Sequence, residues 1–216
     1  MKEFSTGCTL CPRLASFLAE VRVAQPSYFA KPVPSFGDAR MSLLIVGLAP
    51  GMHGANRTGR PFTGDYAGDL LYSSLHKYGL ATAAEPLDAN KNANPKLSLT
   101  GCRITNAVRC LPPQNKPEPA EIKQCNDYLV QELAVLPQGA AVMALGTIAH
   151  EAALRASGHK VKDFKFAHNA RHELANGLKL YDSYHCSRYN TQTKRLTEAM
   201  FHQVFESILE HHAIRS

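Results

Sequence analysis

Several features are missing from this sequence, and each absence narrows what the chain can be. No apolar run is long enough to cross a bilayer, so the reading excludes a transmembrane helix. The opening residues, Met1 to Cys8, hold no apolar stretch of the kind that directs secretion, and a cytoplasmic location is expected. The low hydrophobicity and high charge that mark disorder are absent too: 44% of residues are hydrophobic and 19% charged. No internal repeat or low-complexity tract is visible. What remains is a chain of 216 residues, enough for one sizeable domain and with little room for two. The expected domain is therefore the whole span 1–216. Lys and Arg total 24 against 18 for Asp and Glu, a formal charge of +6. That excess suits a polyanionic partner such as nucleic acid without demanding one.

Short apolar runs alternate with helical patterns. Residues 42–47, 103–108, 140–146 and 178–184 read as strands, the first three as buried parallel ones. A helix is expected from near Asp65, with Leu70, Leu71, Leu75 and Tyr78 on one face. Another is expected over 117–136, with Ile122, Cys125, Leu129 and Leu133 inward. Thr147 is expected to cap a helix through Arg155. Thr193 is expected to cap a last helix to about His211, with Leu196, Met200, Val204 and Leu209 inward. Residues 25–40 and 88–95 lack periodicity and read as surface loops. Strands separated by helices imply βαβ units and a parallel sheet covered on both faces. In such sheets ligands bind beyond the carboxyl ends of the strands. The segments there, 47–65, 106–113 and 185–197, are also the richest in Gly, Pro and polar side chains.

The six cysteines are Cys8, Cys11, Cys102, Cys110, Cys125 and Cys186. In a reducing compartment disulfides are not expected. Cys8 and Cys11 form a CxxC pair, which lets two sulfurs reach one metal from a tight turn. Cys110 and Cys125 would complete four thiolates if the fold brought them near. Zinc would accept that set, and so would an iron–sulfur cluster. The plainer alternative is an incidental pair and two core thiols. Pro12, Pro112 and Pro113 beside the cysteines suit a rigid, poorly solvated cage. Cys102 reads as a small buried hydrophobe.

The densest motif runs from Gly47 to Asp65, with five glycines and neither a Walker lysine nor GxGxxG spacing, so a triphosphate cradle is disfavoured. Its glycines let backbone approach a ligand closely. Phe62 is placed to stack on a planar base, or to serve as a core aromatic. Asp65 opens a helix, where it could simply complement the dipole. His150, His159, His168, His172, His211 and His212 form no recognised ligand pattern. His168 and His172 are spaced i, i+4 with no Glu in the zinc-protease position, and read as structural.

Three segments together resemble the family 5 (type B) uracil-DNA glycosylases. They are Gly47-Leu48-Ala49-Pro50-Gly51 running to Phe62-Thr63-Gly64-Asp65, then Ile104-Thr105-Asn106-Ala107-Val108-Arg109-Cys110, then His185-Cys186-Ser187-Arg188-Tyr189-Asn190 with Arg195-Leu196-Thr197. The cysteine spacing also matches that family, and the match extends from Cys8 to about Thr197. The related family 4 carries Glu where this chain has Leu48, which favours family 5. The chain departs from the pattern twice: Cys186 replaces a proline, and Lys194 replaces a glycine.

The resemblance implies a single α/β domain, an α/β/α sandwich around a four-stranded parallel sheet. It implies an N-terminal segment ligating a [4Fe-4S] cluster through Cys8, Cys11, Cys110 and Cys125, and removal of uracil, with other deaminated bases such as hypoxanthine, from DNA. Phe62 would stack on the flipped base, beside Gly47 and Ala49. The Asn106 amide would donate to O4 and accept from N3–H, an order that cytosine reverses; Asn106 could otherwise be a strand-end turn residue. His185 would hydrogen-bond O2 as negative charge grows on the leaving base. Asp65 would orient or deprotonate water. Asn190 would support the same loop or contact DNA. Phosphates would meet Arg57, Arg60, Arg188, Lys194 and Arg195, with Ser187 and Thr197 as neutral donors. No lysine is placed for a Schiff base, so strand cleavage is not expected. The expected protein is a monomer acting on DNA and not on membranes. The competing reading is a non-catalytic iron–sulfur or zinc nucleic-acid-binding module.

Overall fold

Leu43, Ile45 and their neighbours Leu44 and Val46 are all fully buried, so β2 (Leu43–Gly47) is covered on both faces. The same holds for β4 (Ala141–Leu145). Burial on both sides is what near-continuous apolar runs require. The structure, a computed structural model, describes residues 3–212; residues 1–2 and 213–216 of the expected 1–216 domain lie outside the described residues. Strand β2 pairs in parallel with β3 (Cys102–Asn106) on one side and β4 on the other, and β4 pairs in parallel with β6 (Lys179–Ser183). These are the four strands expected from the sequence.

The sheet is nevertheless six-stranded and mixed, a correction to the four-stranded parallel expectation. Strands β1 (Phe36–Gly37) and β5 (Arg171–Glu173) add antiparallel edges, giving the order β1-β3-β2-β4-β6-β5. Both are too short to announce themselves by alternation. Residues 25–40 are accordingly more than a surface loop, since β1, Ala30 and Val33 are built in there.

Two helical layers cover the sheet. Helices α3 (Tyr66–Lys77) and α7 (Glu198–His211) pack Leu71, Tyr72, Leu75, Phe201, Val204 and Phe205 against the Ile45, Ile104 and Met143 face. Helices α4 (Pro119–Ala134) and α5 (Thr147–Ala156) pack Leu129, Leu133, Ala149 and Ala153 against the Leu44, Val46 and Val142 face. Helix α1 (Pro12–Ala24) adds an element to the expectation. Its Leu14, Leu18 and Val21 join Val108, Leu111 and Tyr128 in a third cluster beside α4. No helix among the described residues is long and apolar enough to cross a membrane.

Two cap assignments change. Gly146, not Thr147, precedes α5, and Thr147 is its first residue. Thr197, not Thr193, caps α7: its hydroxyl accepts from the Met200 N–H at 3.2 Å. Residues 188–192 form a short helix α6 (Arg188–Gln192) instead. In α7, Ile208 rather than Leu209 takes the fully buried place.

Candidate active site

The carboxyl ends of β2, β3 and β6 deliver one pocket. It is lined by Ala49, Gly51, Ala55, Phe62, Asp65, Ala67, Asn106 and His185. Gly47 and Asn106 end their strands as direct cross-strand partners. A Cβ at Gly47 would overlap both the Asn106 side-chain oxygen and the Phe62 ring, so only glycine lets the amide and the ring sit together there. Asn106 is buried, and its Oδ1 has no hydrogen-bond partner. An unpaired buried acceptor costs about 1–3 kcal/mol, which a ligand N–H would recover.

The other groups close around this oxygen. Phe62 holds a backbone φ of 53°, the left-handed region that bulky residues avoid. Strain of that kind concentrates at ligand clamps. Its ring lies 6.0 Å, centroid to centroid, from the His185 ring, with the planes 28° apart. Burial pushes the His185 imidazole down to about 4, so at neutral pH it is an uncharged N–H donor. Asp65 caps α3, its Oδ1 accepting from the Gly68 N–H at 3.0 Å. Burial raises its carboxyl above the ordinary range, against the N–H bonds of Gly68 and Ala67. Asn190 stays outside the lining; its amide donates to the His185 carbonyl at 2.8 Å and braces that loop.

A family model described as "Uracil DNA glycosylase superfamily" matches residues 34–209, more than three quarters of the chain. The chain belongs to the uracil DNA glycosylase superfamily. A type-5 uracil-DNA glycosylase of Thermus thermophilus is 46% identical over 204 residues, covering 92% of this chain and 91% of that protein. One from Pyrobaculum aerophilum is 39% identical over 198 residues, covering 88% and 83%. A type-4 uracil-DNA glycosylase of the same organism is 31% identical over 136 residues, covering 62% and 59%. Within the superfamily, the chain belongs to the type-5 group.

Its two departures from the family pattern have visible consequences. Cys186 is fully buried, and its thiol donates to the Ala67 carbonyl at 3.4 Å. The residue after His185 is thereby tied to the helix turn that Asp65 caps. Lys194 holds φ 57°, a conformation that glycine takes without strain and lysine does not.

The basic residues divide into two groups. Arg57 donates to the carbonyls of His53 and Lys91 at 2.9 and 2.6 Å. Arg60 lies 4.2 Å over the Phe36 ring and donates to the Asn94 carbonyl at 2.8 Å. Both guanidiniums thus hold the 88–95 loop in place. Arg188, Lys194 and Arg195 are exposed beyond His185, Arg195 with its guanidinium 4.7 Å over the Tyr184 ring. Ser187 caps α6, as Thr197 caps α7.

Away from this pocket, Cys8, Cys11, Cys110 and Cys125 line a single cavity with Val108 and Tyr128. Burial raises the Cys110 thiol strongly, and the nearby Cys125, Cys8 and Cys11 add to the effect. Cys125 is pushed up to about 11 by burial, against the Arg109 N–H that donates to its sulfur at 3.3 Å. Four thiols around one cavity are a donor set that a zinc ion or an iron–sulfur cluster could take.

Sequence reasoning missed two buried ion networks. Arg109 pairs with Glu132 at 2.7 Å beneath the thiol cage. His150 and His172 both meet Asp182. No motif spacing signals either one. Asn56, buried with both amide atoms unpaired, was also unanticipated; it follows the pocket-lining Ala55.

Proposed function

We propose that this chain is a DNA repair glycosylase that hydrolyses the N-glycosidic bond of uracil, and of other deaminated bases, after the nucleotide has flipped out of DNA. The observation that carries the reading is the buried, unpaired Asn106 oxygen facing a pocket shared with Phe62, His185 and Asp65. Flipping costs a few kcal/mol, least at a mismatched pair. In the pocket the base stacks on Phe62. The Asn106 oxygen accepts from N3–H and its amide N–H donates to O4, whereas cytosine offers the reverse order. As the bond breaks, the uncharged His185 donates to O2 and stabilises the leaving anion. The half-buried Asp65 carboxylate orients the water and stabilises the cationic sugar. The protein acts in the cytoplasm on the chromosome as a monomer. Arg188, Lys194, Arg195 and Ser187 carry the phosphate contacts, and the engaged Arg57 and Arg60 shape the loop instead.

The cavity lined by Cys8, Cys11, Cys110 and Cys125 gathers four thiols among the apolar side chains Leu14, Pro32 and Val108, and we assign a [4Fe-4S] cluster to it rather than zinc. Such a group supplies a structural cross-link here. These four residues then tie the N-terminal segment to α4 and to the loop after β3. Iron content with visible charge-transfer absorbance is expected; a colourless protein carrying one zinc ion refutes it.

Release of free uracil from a labelled duplex tests the function, since a binding module releases none. Asp65→Asn is expected to lower turnover about 10²–10⁴-fold with DNA affinity nearly intact. Unchanged turnover would remove Asp65 from the mechanism.

A further inference from the structure

A second group of buried polar side chains lies just behind His185, between the sheet and α5. His150, His172 and Asp182 leave 1%, 14% and 0% of their side chains exposed. Asp182 Oδ1 lies 2.8 Å from His150 Nδ1, and Oδ2 lies 3.0 Å from His172 Nε2. The far nitrogen of His150, Nε2, lies 3.1 Å from the Phe164 carbonyl oxygen. A carbonyl can only accept, so Nε2 carries a hydrogen. Two facing lone pairs would repel at 2.8 Å, so a second hydrogen lies between Nδ1 and the carboxylate. The contact therefore locks one proton beyond those of neutral imidazole and carboxylate.

Asp182 stands three residues before His185, and the chain between is pinned on both sides. The Asp182 N–H donates to Ala170 O at 2.9 Å, and Asp182 O accepts from the Asn169 N–H at 2.8 Å. Ser183 O accepts from the Gly146 N–H at 2.8 Å, directly before α5 begins. The Tyr184 N–H donates to His168 Nδ1 at 3.2 Å. A Cβ on Gly146 would sit 3.5 Å from the His185 Cβ, so the α5 entry passes close to the His185 side chain.

We propose that Asp182, clamped by a doubly protonated His150 and by His172, is a positioning residue that fixes the end of β6 and thereby aims His185 at the base. This rests on the role given to His185 above. Few other charges face the cluster. Glu151 neighbours His150 on α5, while α4 presents the neutral Asn126 amide to the Ala152 carbonyl. Strands β2 and β4 present apolar side chains, and Lys162 and Asp163 on the 161–163 turn are exposed. Burial works against the His150 charge, but the hydrogen bond and charge of Asp182 outweigh it and hold the imidazole above its ordinary value. A raised folded value means that the clamp is complete below about 6.5, the ordinary histidine value, and is lost to solvent deprotonation as pH rises through the folded value.

Asp182→Asn in the full chain tests the clamp. The amide keeps the shape, accepts from His172 and donates to an uncharged His150 Nδ1, so the locked proton is no longer needed. In the parent, nitrogen NMR is expected to show the His150 ring more than half doubly protonated at about pH 6.5, where an ordinary imidazole is half deprotonated. Thermal midpoint and kcat should fall together on the alkaline side, with KM steady. In Asp182→Asn that alkaline limb should vanish from both. His150→Ala should lower kcat roughly ten- to a hundredfold, as small misplacements do, with DNA affinity kept. A His150 ring less than half doubly protonated at about pH 6.5, or an alkaline limb that survives Asp182→Asn, would overturn the proposal. So would stoichiometric uptake of Zn²⁺ by the parent that Asp182→Asn abolishes. His185→Ala separates the two readings: full uracil release there refutes the role of His185, while the His150 nitrogen signals still report on the clamp.

Discussion

Two sets of buried polar groups meet at the end of β6, and they are built in opposite ways. Around Asp182 the ring nitrogens facing Asp182 and Phe164 are all paired. In the pocket at the strand ends Asn106 Oδ1 is unpaired and Phe62 sits in a strained conformation. Their histidines respond accordingly: burial alone drives His185 down to about 4, while Asp182 holds His150 up. His185 therefore contributes stability above about 6.5 that is lost as pH falls toward its folded value, whereas the His150 contribution is lost as pH rises. The difference teaches where each region's free energy goes. Paired polar groups hold the chain; an unpaired one carries a cost that only a new partner could recover.

Matched truncations give the sharpest way to break this contrast. Asp182→Ala strands a buried imidazolium and is expected to destabilise the fold by about 3–5 kcal/mol in denaturant titrations. Asn106→Ala removes an acceptor that has no partner, and should leave stability within about 1 kcal/mol of the parent or above it. Its uracil release should nevertheless fall about 10²–10³-fold, the loss seen when one transition-state donor is removed. Equal destabilisation by the two changes would erase the distinction. A smaller effect sits at the rim of the pocket. Lys194→Gly relieves a left-handed backbone and should raise stability by about 1 kcal/mol, read as a higher thermal midpoint. If the midpoint falls, the Lys194 side chain contributes more than its backbone strain costs.

Much of this architecture was legible in the sequence. Strands β2 and β4 are apolar runs buried on both faces, so composition marks them, whereas β3 and β6 carry polar residues such as Arg103 and Asp182 and are marked less clearly. Gly47, Phe62, Asn106 and His185 lie at strand ends or in the loop that follows, where topology predicts a ligand edge, and the structure brings them to one pocket. What stayed hidden depends on partners distant in the chain. Strands β1 and β5, of two and three residues, exist because β3 and β6 offer free edges to pair with. Arg57 and Arg60 looked available for phosphate, but carbonyls more than thirty residues onward take their hydrogens. His150 and His172 carry no informative spacing to Asp182, since three different elements supply them. Thr193 and Thr197 are equally good caps on paper. The intervening turn through Lys194 decides between them.

One contact near the pocket also constrains how this recognition surface can change. Gly68, in the first turn of α3, has no room for a side chain, because a Cβ there would collide with the Phe62 carbonyl. The Tyr72 hydroxyl, one turn further on, donates to the Pro61 carbonyl at 2.9 Å. Shelf, carboxylate and helix are thus welded into one handle. A drift of α3 by a fraction of an ångström would carry Phe62 and Asp65 together, while Asn106 at the end of β3 and His185 after β6 belong to other elements and can shift independently.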